Sequence, residues 1–369
     1  MTHSKINVVV LSGGRSSEHA ISLQSAAVVM QNLDRSRFDV TPVLIDSQGQ
    51  WLFAADSLSN SKPGSPEKKM LLSPEKNLYF AATLKKNLDF CDVIFPVLHG
   101  AYGEDGTLQG LLEFLDIPYV GANTLGSAVA MDKVLSKRLV VESGVPVVPF
   151  VAFNQGQWEL NAPYYSQKIH QELSYPLFVK PVNTGSSVGI TRVVSPETLA
   201  SAIETALLYD SKVLVEQALS VREIEVAVLE NQQWGQSPLL SVCGEIIPRH
   251  AFYSYEAKYL DPNGAKLVIP AHLSKKQLVQ LQDFAQRTFE ALACQGMARI
   301  DFFIDKQTDA LYFNEINTIP GFTQISMYPK LWEASGLSFT HLLSRLLELA
   351  MARYTRQAKL KRTYQPSVE

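Results

Sequence analysis

The sequence predicts a mixed α/β protein in which a parallel-stranded N-terminal unit precedes a region of antiparallel strands. Three observations predict it. Residues 5–11 form an apolar, β-branched run, followed by a segment of helical period and a second apolar run at 38–45, the strand–helix–strand order of a parallel sheet. From 223 to 229 charged and apolar residues alternate, as in a half-buried antiparallel strand. Residues 297–305 and 310–316 are two further strand-like runs close in sequence, which read as a pair.

The elements follow in order. The first strand stops at Ser12-Gly13-Gly14, and Ile21, Leu23, Ala27 and Val28 mark a helix within 18–33. Residues 46–75 lose all periodicity in SLSNSKPGSPEKK and read as an inserted surface loop. The run DVIFPVL at 92–98 is a buried strand that leads into HGAYGEDG. Ligands bind beyond the carboxyl ends of parallel strands, so Gly13-Gly14 and His99-Gly100 are expected to face one site. Residues 118–121 read as a short closing strand, and a helix carrying Met131-Asp132-Lys133 follows. Pro146 and Pro149 mark a linker. Strands are expected at 177–180 and 212–217, and helices at 199–208, 274–293 and 339–354. No internal repeat is present. The divisions are an N-terminal unit at 1–121, a central one at 122–216, a C-terminal one at 217–355 and a tail from 356 to 369.

Composition narrows the function. The chain has 369 residues, 46% hydrophobic and 19% charged, enough for two or three units around a cleft. A net charge of -3 speaks against a nucleic-acid partner. The one basic concentration runs from Arg353 through Lys359, Lys361 and Arg362 and reads as a solvated, frayed end. Cys91, Cys243 and Cys294 lie far apart with no CxxC pair, which suits a reducing cytosol rather than a zinc or disulfide framework. The N-terminal apolar run is too short for a membrane span and lacks the features of a signal peptide, so a cytoplasmic protein with no membrane contact is expected. SGGRSS is not GxGxxG, which disfavours a dinucleotide oxidoreductase.

Chemistry concentrates in four stretches. In Arg299-Ile300-Asp301, strand alternation puts Arg299 and Asp301 on one face, and Glu315 and Asn317 likewise share a face. Pairing of the two strands would gather hard oxygen donors suited to Mg²⁺ bound with phosphate. Lys180 ends an apolar strand and precedes PVNTGSSVG, a loop whose N–H groups and hydroxyls can approach phosphate, although it is not GxxxxGK[ST]. Glu216-Gln217-Ala218-Leu219, followed by Glu223, offers backbone for an adenine edge and a carboxylate for ribose. Gly321, in TIPGFT, can present its N–H to a developing oxyanion.

Taken together, these stretches resemble the ATP-grasp superfamily and, within it, the D-alanine–D-alanine ligase family. The resemblance runs from Val8 to about Glu348 and is carried by GGRSSEHAIS, LHGAYGEDGTLQG, MDK, VKPVNTGSSVGI, EQAL with REIEVAV, YEAKY, RIDFF and NEINTIPGFT in that order. It implies an ATP-grasp fold behind an N-terminal Rossmann-like domain. It also implies ATP-dependent ligation of two D-alanines through an acyl phosphate for peptidoglycan precursors. Glu18 would anchor the first D-alanine's ammonium with Ser186 and Tyr259, and His99 would lie near its carboxylate. Lys133, Lys180 and Ser187 would hold ATP phosphates, Glu216, Gln217, Ala218 and Leu219 adenine, and Glu223 ribose, with Asn314 also at the nucleotide. Lys258 would contact the transferred phosphoryl group. Arg299 and the Gly321 N–H would stabilise the acyl phosphate and the tetrahedral oxygen, and Ser326 would bind the second carboxylate. Asp301, Glu315 and Asn317 would bind two Mg²⁺ (or Mn²⁺), with Glu315 bridging. Residues 251–266 match the family's lid, and members are commonly homodimers. Gln324 stands where some members have histidine. The alternatives are a D-alanine–D-lactate ligase, against which Tyr259 argues, and a nucleotide-binding regulator without turnover.

Overall fold

The computed structural model describes residues 4–53, 70–72, 80–248 and 264–363. They form three sheets. The first has the order β4-β3-β2-β1-β5. Its central strand β1 (Ile6–Gly13) runs parallel to β2 (Phe38–Ile45) on one side and to β5 (Val93–Pro96) on the other. Val8, Val9, Val10 and Leu11 are all buried because both faces of β1 are covered, as the unbroken apolar run requires. Helix α1 (His19–Asn32) supplies Ala26 and Val29 to the core around Val8 and Val10, while Val9 and Leu11 pack on the other side with Leu84 of α2 (Phe80–Leu88) and with Leu108 and Leu112 of α3 (Thr107–Phe114).

The stretch read as an inserted loop contributes two short strands, β3 (Trp51–Phe53) and β4 (Met70–Leu72), which extend this sheet antiparallel beyond β2. Three-residue strands are too short to show a period. What fixes β3 is burial of Trp51 and Phe53 beside Val43 and Ile45. The closing strand expected at 118–121 is a single parallel bridge between Ile94 and Tyr119.

The helix expected through Met131-Asp132-Lys133 is two helices, α4 (Thr124–Met131) and α5 (Lys133–Glu142). Asp132 separates them in an extended conformation, where its carboxylate accepts from the N–H groups of Val134 and Leu135 and so caps α5. The second sheet, order β6-β9-β7-β8, is antiparallel throughout. It consists of β6 (Phe150–Asn154), β7 (Leu177–Pro181), β8 (Thr191–Val193) and β9 (Lys212–Gln217). Its apolar side packs on Trp158 and Ile169 and on Ala202 and Ile203.

The third sheet, order β12-β11-β10-β13-β14, is also antiparallel. Its strands are β10 (Val221–Leu229), β11 (Leu239–Pro248), β12 (Ala265–Val268), β13 (Met297–Asp305) and β14 (Leu311–Asn317). The expected half-buried strand at 223–229 is instead buried from Ile224 onward. One side of β10, with Ile224, Val226 and Val228, meets the helix at Lys275–Ala291. Ala227 and Leu229, on the other side, join a core with residues of the C-terminal helices Met327–Ala334 and Phe339–Gln357. That same core contains Val8, Val10 and Val93, so the first and third sheets share it.

The C-terminal basic run is only in part a solvated end, since Lys359, Lys361 and Arg362 are exposed beyond the helix. The last helix continues to Gln357, and Arg353 is buried. Its guanidinium donates to the carbonyls of Tyr119 and Gly121 and lies 4.5 Å from the Tyr119 ring centroid.

Candidate active site

The carboxyl ends of β1 and β5 are joined by Ser22, whose hydroxyl accepts from Gly13 N–H at 2.7 Å and donates to the Val97 carbonyl. Beside them the Ser186 hydroxyl donates to the Glu18 carboxylate, so the loop after β7 reaches the first sheet. Glu18 is buried, and Gly100 and Gly185 give it room. A Cβ on Gly100, which has φ +75°, would lie 2.6 Å from Glu18 Oε2, and one on Gly185 3.0 Å away.

His99 is buried beneath this point. Its Nδ1 lies 3.0 Å from the Ile319 carbonyl, which can only accept, so Nδ1 carries the proton. Nε2 then accepts from Ser25 Oγ at 3.1 Å, and that hydroxyl accepts from Phe322 N–H at 3.4 Å. Burial holds His99 below its ordinary pKa, in keeping with a neutral ring. Glu104 crosses the same junction. Its two oxygens accept from Gly100 N–H at 2.6 Å and Ile319 N–H at 3.2 Å. Burial, reinforced by the charge of Glu18, pushes its carboxyl up to about 8.

The predicted metal ligands come together on the third sheet. Cross-strand register pairs Arg299 with Asn317 and Asp301 with Glu315, and then Phe302 with Phe313. Asn314 is therefore the extra residue of a β-bulge. Strict alternation would put Phe313 on the face of Glu315. The bulge instead lets Phe313 pack edge-on against Phe302 in the core, with centroids 6.3 Å apart, while Glu315 stays opposite Asp301. Asp301 accepts a bidentate pair from Arg299, at 2.8 Å from Nε and 2.7 Å from Nη2, and a third bond from Asn317 Nδ2 at 3.2 Å. Burial opposes the Arg299 charge, but Asp301 and Glu225 outweigh it and raise its pKa well above the usual value.

Two lysines from elsewhere in the chain converge here. Lys133, the first residue of α5, lies 3.3 Å from Glu315 Oε2 and donates to the Thr184 carbonyl at 2.8 Å. Lys180, on β7, donates to Glu216 Oε2 at 2.6 Å. The other oxygen of Glu216 accepts from the buried Lys137 at 2.7 Å. Burial disfavours the Glu216 carboxylate, yet the two ammonium groups hold its pKa at about 2. Ser186 and Ser187 take positive φ of 53° and 61°, which turns the loop between Lys180 and Glu18.

The remaining predicted residues surround this centre. Gln217 N–H donates to the Pro149 carbonyl and Ala218 N–H to that of Pro176, which fixes the chain leading into Leu219. Burial opposes the Lys180 charge, but Glu216 outweighs it and, with smaller contributions from Glu315 and Glu223, raises its pKa. Gly321 sits against Ser326: a Cβ there would lie 2.7 Å from Ser326 Oγ. Ser326 Oγ also accepts from Thr323 N–H at 3.0 Å. Lys258 and Tyr259, with lid residues 251–263, lie outside the described residues.

Sequence reasoning missed Glu104, Lys137 and Glu225. Glu104 and Glu225 sit inside quoted motifs, but nothing local signals their partners, which come from distant parts of the chain. Among the described residues no three His, Cys, Asp or Glu side chains form a self-sufficient metal cage. Two carboxylates and an amide instead fit Mg²⁺ that takes its other ligands from phosphate and water. No helix among those residues is long and apolar enough to cross a membrane.

Comparison with known proteins gives a consistent result. Residues 7–122 match the family described as "D-ala D-ala ligase N-terminus", and 139–348 the one described as "D-ala D-ala ligase C-terminus". The D-alanine–D-alanine ligase of Caldicellulosiruptor bescii is 45% identical over 97% of this chain and 98% of its own. D-alanine–D-alanine ligase A of Bradyrhizobium diazoefficiens is 46% identical over 98% and 99%. Among solved structures, the Coxiella burnetii D-alanine–D-alanine ligase superposes with a TM-score of 0.77 at 34% identity, covering 96% of both chains. The VanG D-Ala:D-Ser ligase of Enterococcus faecalis gives 0.78 at 34%, covering 94% of this chain and all of its own.

Proposed function

The chain belongs to the D-alanine–D-alanine ligase family, and from that premise we propose how its residues divide the joining of two D-alanines at the expense of ATP. It is an ATP-dependent, ADP-forming ligase with the ATP-grasp fold, and its product serves peptidoglycan synthesis. ATP phosphorylates the carboxylate of the first D-alanine. The amine of the second attacks the acyl phosphate, and phosphate leaves from a tetrahedral intermediate.

Glu18, oriented by Ser186, anchors the ammonium of the first D-alanine. The neutral His99, held between Ile319 and Ser25, fixes the wall beside its carboxylate. Lys133, Lys180 and Ser187 take the phosphates, and the 216–219 segment takes adenine. Glu223 takes the ribose, and Asn314 meets the nucleotide from the bulge. Arg299 and the Gly321 N–H meet negative charge as it develops on the acyl phosphate and the tetrahedral oxygen. Ser326 binds the second carboxylate. By the family motif Lys258 contacts the transferred phosphoryl group, and Tyr259 joins Glu18 and Ser186 at the ammonium of the first D-alanine. Asp301, Glu315 and Asn317 would hold two Mg²⁺, which when bound would neutralise phosphate charge. The work divides among units at 1–121, 122–216 and 217–355. Three free thiols support a cytoplasmic setting. A homodimer, common among family members, is the expected assembly, which light scattering would test.

The observation that carries this reading is the convergence of Arg299, Asp301, Glu315 and Asn317 on one face, with Lys133 reaching Glu315 from another element. The test is phosphate release from ATP with D-alanine, L-alanine, D-serine or D-lactate as acceptor. D-alanine-dependent release with dipeptide formed is expected. Depsipeptide from D-lactate with little dipeptide would overturn the acceptor, and ATP binding without release would overturn turnover. Glu315→Gln is expected to lower release by about 10²–10³-fold with its melting temperature unchanged. Near-normal turnover at saturating Mg²⁺ would contradict the metal-ligand role.

A further inference from the structure

Glu225 has no part in the roles above, yet it stands in the same row as the metal ligands. Register across β10, β13 and β14 aligns Glu225 with Asp301 and Asp301 with Glu315, three acidic positions side by side. In the next row stand Ala227, Arg299 and Asn317. Glu225 is 5% exposed, between the fully buried Ile224 and Val226. Its Oε2 lies 3.0 Å from Arg299 Nε, the nitrogen that also donates to Asp301 Oδ1. Arg299 is thus held by two carboxylates from two neighbouring strands.

Both oxygens of Asp301 are engaged, one by Nε and the other by Nη2 and Asn317. A divalent cation that takes Asp301 as a ligand withdraws electron density from those oxygens. It also sets two positive charges close to a guanidinium in a poorly screened environment. A guanidinium held by Asp301 alone would then be repelled from the position where it meets the acyl phosphate. Glu225 lies one strand further from Glu315 and is not among the metal ligands proposed above.

We propose that Glu225 is a positioning residue whose charge keeps Arg299 in place when a divalent cation occupies Asp301. The proposal rests on the roles given above to Arg299 and Asp301, and the experiment separates the two. Glu225→Gln keeps the shape and one acceptor but removes the charge; Glu225→Asp keeps the charge on a shorter arm. Each is made in the wild-type and Arg299→Met backgrounds, and all are checked by circular dichroism. Two quantities are read: turnover, and Mn²⁺ affinity in the presence of ADP by electron paramagnetic resonance.

In the wild-type background Glu225→Gln is expected to lower kcat about 10- to 100-fold, with KM for ATP within about twofold, and to weaken Mn²⁺ binding about 10-fold. Glu225→Asp should recover part of both. In the Arg299→Met background the same changes should move either quantity by less than about twofold, since the interaction partner is gone. Equal losses in both backgrounds would mean that Glu225 acts on the metal or the fold by itself, and would overturn the proposal. So would an inert Glu225→Gln beside a damaging Arg299→Met. An inert Arg299→Met would overturn the role given to Arg299, and this proposal with it.

Discussion

Glu104 shows what a single carboxyl group can do at a seam. It holds Gly100, after β5, to Ile319, after β14, two points far apart in the chain. In the unfolded chain the group ionises near 4.5, and in the fold near 8. Between those values the unfolded chain binds fewer protons than the native one, so this contribution is full below about 4.5 and is lost as pH rises towards 8. Glu104→Gln should therefore melt lower at pH 5, having exchanged one acceptor for a donor, and should lose less on going to pH 8. Melting curves across that range check it, and an unchanged slope would remove Glu104 as its source. At this scale the sequence was legible where the residue type announces its chemistry. Asp301, Glu315 and Asn317 are hard donors in strands with an apolar opposite face. Lys137 gave no such signal, because a lysine on a helix looks solvated until Glu216, 79 residues on, is found beside it.

Within elements, the site depends on two departures from regular geometry. One is the bulge at Asn314, which allows Phe313 and Glu315 to serve opposite faces although they are two residues apart. The alternation argument grouped Asp301, Glu315 and Asn317 on one face without revealing the bulge that makes that grouping compatible with Phe313. The other is the pair of left-handed residues at Ser186 and Ser187. Glycine adopts that conformation without steric cost. Ser187→Gly should therefore leave the melting temperature level or slightly higher while raising KM for ATP about 3- to 10-fold through loss of the hydroxyl. A lowered melting temperature with normal KM would reverse the assignment. Long periodic elements such as β1 and the helix at Lys275–Ala291 could be read directly. Asp132 was hidden because its capping role appears only when the chain on both sides is seen to be helical.

Across the whole molecule, the N-terminal and C-terminal sheets close on one core, and Arg353 secures the seam from the last helix. The sequence offered only a basic tail there, since the carbonyls that Arg353 meets lie more than 230 residues earlier. Arg353→Met would leave those buried acceptors unsatisfied and should cost about 2–4 kcal/mol. Urea denaturation measures it, and an unchanged midpoint would show that the seam holds without the guanidinium. The pairing of charges across the cleft has a further consequence. Lys133 rests on Glu315, Lys180 on Glu216 and Arg299 on Asp301, so the protein's own charges saturate one another. Such a surface behaves as an ion-exchange bed. A divalent ion arriving alone must displace the Lys133 ammonium from Glu315, and a polyphosphate arriving alone must draw a lysine from its carboxylate. Arriving as one complex, they trade partners with the bed, ion for ion. Metal and nucleotide should therefore each bind more tightly in the other's presence, by a factor that is the same whichever of them is titrated.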